Sequence, residues 1–316
     1  MKFSFKPWRL RLLAIALMAA GTRHLSASEN TPHAPFAEWA DTPESGHLLA
    51  RLTYMESEAY YFWAGNTRYK ADWQKSGEHY GIDINQAYIT LQYGFTEKWA
   101  ADLSFGYTGV GWRWFSNFST NGASESTSGL MDVALGVRYQ IFKEDETDIA
   151  SWKPTLTFRA GAVLPGSYDE HFPWSPGNGS TAVEPELLAR KHFGWPGLGA
   201  YADTLFRWNH TAANDQYIVS FGLFQKIQRW ELDAGYRHLG SINGDNISYD
   251  PATRFITYPR APRENQDSIE AGFHYATKKN WKFGFYSRTV FDGANSDKKF
   301  WLGGFMEVPF NLRKSK

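Results

Sequence analysis

The chain of 316 residues contains no cysteine, no surplus of either charge and, after residue 30, no long apolar run. The absence of cysteine excludes disulfide scaffolds, Cys-ligated zinc, iron–sulfur clusters and thiol nucleophiles. Because 33 basic residues balance 33 acidic ones, no basic surface for a phosphate backbone is expected, and no nucleic-acid partner is predicted. Without about 18 consecutive apolar residues, the sequence after residue 30 predicts no transmembrane helix.

Aromatic residues are abundant, although the mean hydropathy is polar. Trp, Tyr and Phe make up 17% of the chain, while the mean hydropathy is -0.49. A fold that places aromatic side chains beside charged ones throughout is therefore required.

The N-terminal segment has the pattern of an export signal. Four basic residues among the first eleven precede an apolar run at 12–20, which is too short to span a bilayer of about 30 Å as an uncleaved anchor. We therefore predict a signal peptide over 1–28, cleaved near Ala27 or Ser28, and a periplasmic lead-in over 29–46.

Apolar and polar residues then alternate with a period of two. Ala87, Ile89 and Leu91 share one strand face, for example, and segments of about ten such residues have the length of a tilted membrane strand. The fold class predicted is all-β, an antiparallel up-and-down transmembrane β-barrel of twelve strands over 47–310, followed by a tail at 311–316. The strands are predicted at 48–62, 82–95, 97–110, 129–142, 154–165, 181–193, 197–209, 214–226, 229–241, 266–278, 280–291 and 299–310.

Tryptophans near strand ends distinguish this barrel from a soluble β-sandwich. Trp99, Trp230, Trp281 and Trp301 are predicted to form interface girdles, which a sandwich does not need. Connections between strands alternate between long and tight, as in outer-membrane barrels, and the acidic run at 143–146 is interpreted as a solvated hairpin tip.

The last strand carries an assembly pattern. Met306, Val308 and Phe310 alternate and end in Phe, which resembles the terminal signal read by the barrel-assembly machinery. The predicted location is the outer membrane, with outer-membrane lipid and that machinery as partners and a monomer as the assembly state.

Three segments carry a family resemblance. They are Tyr93 to Trp99 with a Tyr-Gly turn, Ser128 to Tyr139 with a G-x-x-D strand, and Arg159 to Gly166, where the family has a strand ending in Leu-Pro-x-Gly. Tyr236 to Ser241 is similar to a later strand, so the chain resembles the outer-membrane family associated with the phenol meta-cleavage pathway. The resemblance implies passage of small hydrophobic or aromatic compounds, and it implies no catalytic residue and no cofactor.

Charged residues on the inward strand faces are the candidate lumen site. They either pair into a structural network or line a narrow polar channel that sets selectivity. The candidate ligand-binding residues of the lumen are Asp102, Asp132, Arg138, Arg159, Glu186, Arg190, Arg237, Glu270 and Arg288. A second candidate set lies on the outer rim, where aromatic side chains could stack on a planar solute or simply pack the mouth: Trp112, Trp114, Phe115, Phe172 and Trp174.

Two other functions are weighed. A lipid-modifying esterase would need a His/Ser pair such as His238 and Ser241, but residues three apart in a strand face opposite sides. The remaining alternative is a structural barrel with a closed lumen. The other histidines lack metal-ligand spacing, so no metal site is predicted.

Overall fold

The computed structural model describes residues 37–70, 81–113, 124–145, 151–168, 176–193, 197–210, 213–253, 255–257, 259 and 262–313. The predicted signal peptide and the first part of the lead-in lie outside these residues. Across the described part of the chain, no helix has the length and apolarity needed to cross a membrane.

Almost every described element is a strand. A single 3-10 turn at Ala37–Ala40 precedes β1 His47–Ala64, β2 Thr67–Lys70, β3 Gly81–Gly94, β4 Trp99–Arg113, β5 Ser124–Leu130, β6 Val133–Phe142, β7 Thr155–Leu164, β8 Ala182–His192, β9 Leu198–Asn209, β10 Gln216–Ile227, β11 Trp230–Ser241, β12 Ser248–Asp250, β13 Phe255–Thr257, β14 Asn265–Ala276, β15 Lys282–Ala294 and β16 Asp297–Asn311.

The long strands pair with their sequence neighbours and close on themselves. Each neighbour pair is antiparallel, and β16 pairs with β1 from His47↔Asn311 to Phe62↔Asp297. Counting β5 and β6 as one interrupted strand, and setting aside β2, β12 and β13, the described residues form a closed barrel of twelve strands. The predicted architecture is confirmed, and closure leaves no strand edge unpaired around the ring.

The alternating pattern decides which side of the wall each residue faces. Along β3 the even-numbered residues are buried inside the barrel, and the odd-numbered ones face outward.

Three of the four predicted girdle tryptophans lie on the outer surface. Trp99, Trp230 and Trp281 are between 40% and 47% exposed, as a girdle residue should be. Trp301 was predicted in the same girdle, and that prediction is wrong: it is 2% exposed and lies in the lumen, because it shares the inward parity of β16 with its buried neighbours.

A bulge separates β5 from β6 and changes the direction of one side chain. β4 pairs with β6 up to Ser104↔Ala134 and with β5 from Tyr107↔Leu130, so the ladder shifts by one residue between them. Met131 has the same odd parity as the outward residues Leu135 and Val137, but it is buried beside Asp132 because the extra residue reverses its direction.

Two small hairpins extend the end of the barrel opposite the chain termini, here called the loop end. β2 folds back on the last residues of β1, and β12 pairs with β13 within the connection 242–264. Asn295, at a φ of 51°, joins these parts: its side-chain oxygen accepts from the backbone N–H groups of Gly65 and Ile247, each at 2.8 Å. The side-chain nitrogen of Asn295 donates to Arg263 and Asn246. The loop end is thereby a connected structure.

Candidate functional site: the barrel lumen

The inner wall of the barrel has two chemically different halves. Strands β6 to β14 contribute most of the buried charges, whereas β15, β16, β1, β3 and β4 contribute most members of the main apolar cluster and several buried charges as well. The two halves are described in turn because they imply different functions.

Arg159 is the centre of the charged half. Its side chain is fully buried, and Nε donates to Asp102 Oδ1 at 2.8 Å and Oδ2 at 3.1 Å. One terminal nitrogen of the same guanidinium lies 3.4 Å from Glu184 Oε2 and 3.4 Å from Glu186 Oε2. Glu184 in turn accepts from Arg207 Nε at 2.7 Å. Two guanidinium groups and three carboxylates therefore meet within the wall, and each charge lies beside one of opposite sign.

A second group of charges lies where the charged half meets the apolar half. Arg237 and Arg288 approach the same oxygen of Glu270, at 3.8 Å and 3.9 Å, and the hydroxyl of Tyr286 donates to that oxygen at 2.9 Å. Aromatic and charged side chains thus share one stretch of the lumen.

Arg51 was not among the predicted residues, although it lies between two apolar residues of an alternating strand. It pairs with Glu307 at 2.6 Å and stacks its guanidinium over the ring of Phe305 at 4.6 Å. The parity of β1 could have identified it.

The segment just before β1 enters the lumen at the end that holds the termini, here called the turn end. Arg138 donates to the backbone oxygen of Trp39 and stacks over its ring at 4.7 Å, and Thr157 donates to the oxygen of Ala40 at 2.6 Å. Asp41 lies 3.1 Å from Arg190. Residues 37–42 therefore fill part of the lumen beside the charged half.

The apolar half forms one packed cluster that runs from the loop-end hairpins toward the turn end. Ile247 and Ile256 from the connection 242–264 contact the cluster from above. Its buried wall members are Met55, Ala59, Phe62, Ala64, Ile82, Ile84, Tyr88, Val110, Met131, Tyr286, Trp301 and Phe305. This surface was not predicted from the sequence. The lumen face of a strand was identified by its polar residues, and here the inward residues are apolar.

A cavity of about 460 Å³ opens at the turn end below this apolar half. Its lining includes Glu44, His47, Leu49, Lys282 and Glu307. Since Glu307 and Phe305 are inward neighbours on β16, the apolar cluster ends next to this cavity. The cavity lining combines apolar residues such as Leu49 with the charged residues Glu44, Lys282 and Glu307.

The nine predicted lumen residues all lie on the inward side of the wall and are buried. Their role in ligand binding stays a prediction. Asp132 has a specific structural partner set: its carboxylate accepts from the N–H groups of Gly166 and Asn178 at 3.0 Å and 2.9 Å, and from the hydroxyl of Tyr168 at 2.6 Å. It therefore anchors the connection between β7 and β8.

The predicted rim residues are placed as follows. The backbone of Trp112 lies in β4, and its side chain is outside the described residues. Trp114, Phe115, Phe172 and Trp174 also lie outside them.

The acidic connection after β6 differs from the solvated tip that was expected. The side chain of Glu144 is 1% exposed and accepts from His192 through the backbone N–H at 3.0 Å and through the ring at 2.8 Å, and Lys191 also donates to it. Burial raises the pKa of the carboxyl, but these hydrogen bonds outweigh it and lower the pKa below its ordinary value. The turn is therefore fastened to the end of β8.

His238 and Ser241 point to opposite sides of the wall. His238 faces outward, where its ring lies 2.7 Å from Asp267 and 3.2 Å from Tyr217. Ser241 is buried inside and accepts from the backbone N–H of Glu264 at 3.2 Å. A nucleophile and base cannot act together in this arrangement.

A closed barrel of twelve antiparallel strands, with an apolar outer surface and charges inside, defines a β-barrel of the outer-membrane type. The family model described as "Putative MetA-pathway of phenol degradation" matches residues 75–302. The chain belongs to this family. No curated protein shows significant sequence similarity to the chain.

Solved structures share the fold at low sequence identity. The COG4313 outer membrane channel from Pseudomonas putida F1 aligns with a TM-score of 0.64 and 13% identity, over 86% of this chain and 98% of that one. The TodX deltaS2S3 mutant monoaromatic hydrocarbon channel aligns with a TM-score of 0.41 and 10% identity, over 87% of this chain and 92% of that one. The likeness to the first structure supports the barrel architecture.

Proposed function

We propose that the protein is a channel that admits small hydrophobic or aromatic compounds across the outer membrane. The observation that carries the proposal is the apolar cluster inside the barrel, which extends from Ile247 and Ile256 to Phe305. A lumen for ions or sugars needs a polar lining, whereas an apolar surface lets a hydrophobic solute leave water at little cost in free energy. The family, described as "Putative MetA-pathway of phenol degradation", supports the same role.

The charged half of the lumen suits this role as a fixed wall. Arg159 is paired with three carboxylates from β4 and β8, so these residues tie the strands together and leave the apolar half as the surface for the solute. No catalytic step is proposed.

Uptake in intact cells tests the proposal. Cells that lack hydrocarbon channels would receive either the protein or an empty vector, and the initial uptake of radiolabelled ethylbenzene and 4-ethylphenol would be measured. We expect faster uptake of at least one solute with the protein, and a loss of that gain in Ile84→Lys, which places a charge in the apolar cluster. Heat-modifiable electrophoretic mobility would show that each variant folds, and equal uptake with and without the wild-type protein would refute the proposal.

A structural barrel with a closed lumen is the second candidate, favoured by the complete burial of Arg138, Arg159 and Glu184 together with residues 37–42 inside the wall. Planar-bilayer recordings distinguish the two, since a closed barrel gives only background current.

We further propose a cleaved signal over 1–28, a monomeric state, and insertion through the barrel-assembly machinery with outer-membrane lipid around the wall.

A further inference from the structure

Three of the buried polar side chains in the apolar half of the lumen lie close together in the strand register. Ser57, Gln86 and Trp301 are 3%, 4% and 2% exposed, and they come from β1, β3 and β16. Ser57 Oγ, Gln86 Nε2 and Trp301 Nε1 have no hydrogen-bond partner among the described residues. Buried polar atoms without partners cost free energy, so such a group needs an explanation.

The strand register brings the three side chains together. Ser57 stands directly opposite Trp301 across the β1–β16 pair, and on the other edge it stands opposite Ile84, two residues from Gln86. Directly opposite residues on one face have Cβ atoms about 5 Å apart, and diagonal ones about 7–8 Å. Because all three share the inward face, a single small molecule can reach all of them.

Apolar and aromatic side chains pack beside this group, and Arg288, directly opposite Trp301, stacks its guanidinium over the indole ring at 5.5 Å. Met55 lies opposite Gln86, Ile84 lies opposite Ser57, and both belong to the same packed cluster as Trp301, Tyr88 and Tyr286. An aromatic ring could pack on these side chains while one polar substituent meets the three polar atoms.

The chemistry of the atoms selects the substituent. An indole N–H and an amide NH₂ only donate, so they require an oxygen that accepts, whereas a serine hydroxyl can also accept. A phenolic hydroxyl satisfies all three, because its oxygen accepts from Trp301 and Gln86 and its hydrogen is donated to Ser57. A bare hydrocarbon satisfies none of them.

We propose that Ser57, Gln86 and Trp301 form a binding site for the hydroxyl group of a phenolic solute within the lumen. The proposal rests on the channel function proposed above and adds its solute class. Sites that hydrogen-bond a substrate hydroxyl discriminate against the analogue that lacks it.

Paired solutes test it in the same cells. 4-Ethylphenol and ethylbenzene differ only in the hydroxyl, and we expect the wild-type protein to increase uptake of the phenol more. Trp301→Phe keeps an aromatic ring without the N–H, and Gln86→Met keeps the length without the amide. Each is expected to lower the ratio of 4-ethylphenol uptake to ethylbenzene uptake by roughly threefold to tenfold, as for a lost hydrogen bond.

Ser57→Ala is the mildest of the three substitutions, so it still tests the site if the other two variants do not fold. Its matched control is Ser268→Ala, a buried serine of the charged half that donates to the backbone oxygen of Arg237. A phenol-to-ethylbenzene ratio that stays the same in the folded site variants, or a wild-type preference for ethylbenzene, would overturn the site while leaving the channel intact. If the wild-type protein increases uptake of neither solute, the channel proposal itself fails.

Discussion

The guanidinium of Arg159 lies enclosed between three carboxylates, which shows how much a single inward charge depends on its partners. Its inward direction was predictable, because it follows from the period of two along β7. Its partners were not, since Asp102 lies 57 positions away and reaches it only after the barrel closes. Sequence alternation identifies the side of the wall, and register decides which charges meet.

We expect Arg159→Met to destabilise the barrel by about 3–5 kcal/mol, because it leaves buried carboxylates without their cation. The free energy of unfolding would be measured by urea titration in lipid vesicles. Lys279→Met, which removes a charge at the exposed turn 277–281, is the control and should change stability by less than about 0.5 kcal/mol. Similar unfolding midpoints for both variants would contradict the role assigned to Arg159.

At the scale of elements, the family motifs meet around one loop anchor. The backbone groups of Leu130 and Ser167 exchange two hydrogen bonds at 3.1 Å, next to the carboxylate of Asp132. A Cβ on Gly166 would lie 2.0 Å from the oxygen of Leu130, so the glycine is required by close backbone approach. The G-x-x-D strand and the Leu-Pro-Gly strand end are therefore two parts of one structure, which gives both motifs a structural reason.

Asp132→Ala should release the connection between β7 and β8, because three donors lose their acceptor together. We expect faster chymotrypsin cleavage between residues 165 and 181 in intact cells, with the fragments identified by mass spectrometry. Glu97→Gln, at an exposed turn on the opposite end, serves as the control. Unchanged cleavage in Asp132→Ala would show that the other contacts hold the connection.

At the scale of the whole molecule, strand number and closure follow from the alternation, but the contents of the lumen do not. Residues 37–42 carry no periodic pattern, and their position depends on contacts with distant residues such as Arg138 and Thr157. The apolar half was also missed, although the parity of β16, with Met306 and Phe310 on the other face, places Trp301 inside. What fills a barrel is set by three-dimensional neighbours rather than by local period.

Residues 37–42 and the charged half together narrow the turn end, so deleting this segment should widen the passage. We expect the deletion of 37–42 to increase single-channel conductance in planar bilayers, because Trp39 and Asp41 no longer fill the lumen beside Arg138 and Arg190. A deletion of the six residues 30–35 shortens the lead-in equally and keeps every described contact, so it should leave conductance at the wild-type value. Equal conductance of the two deletion variants would mean that the charged wall, and not the N-terminal segment, limits the current.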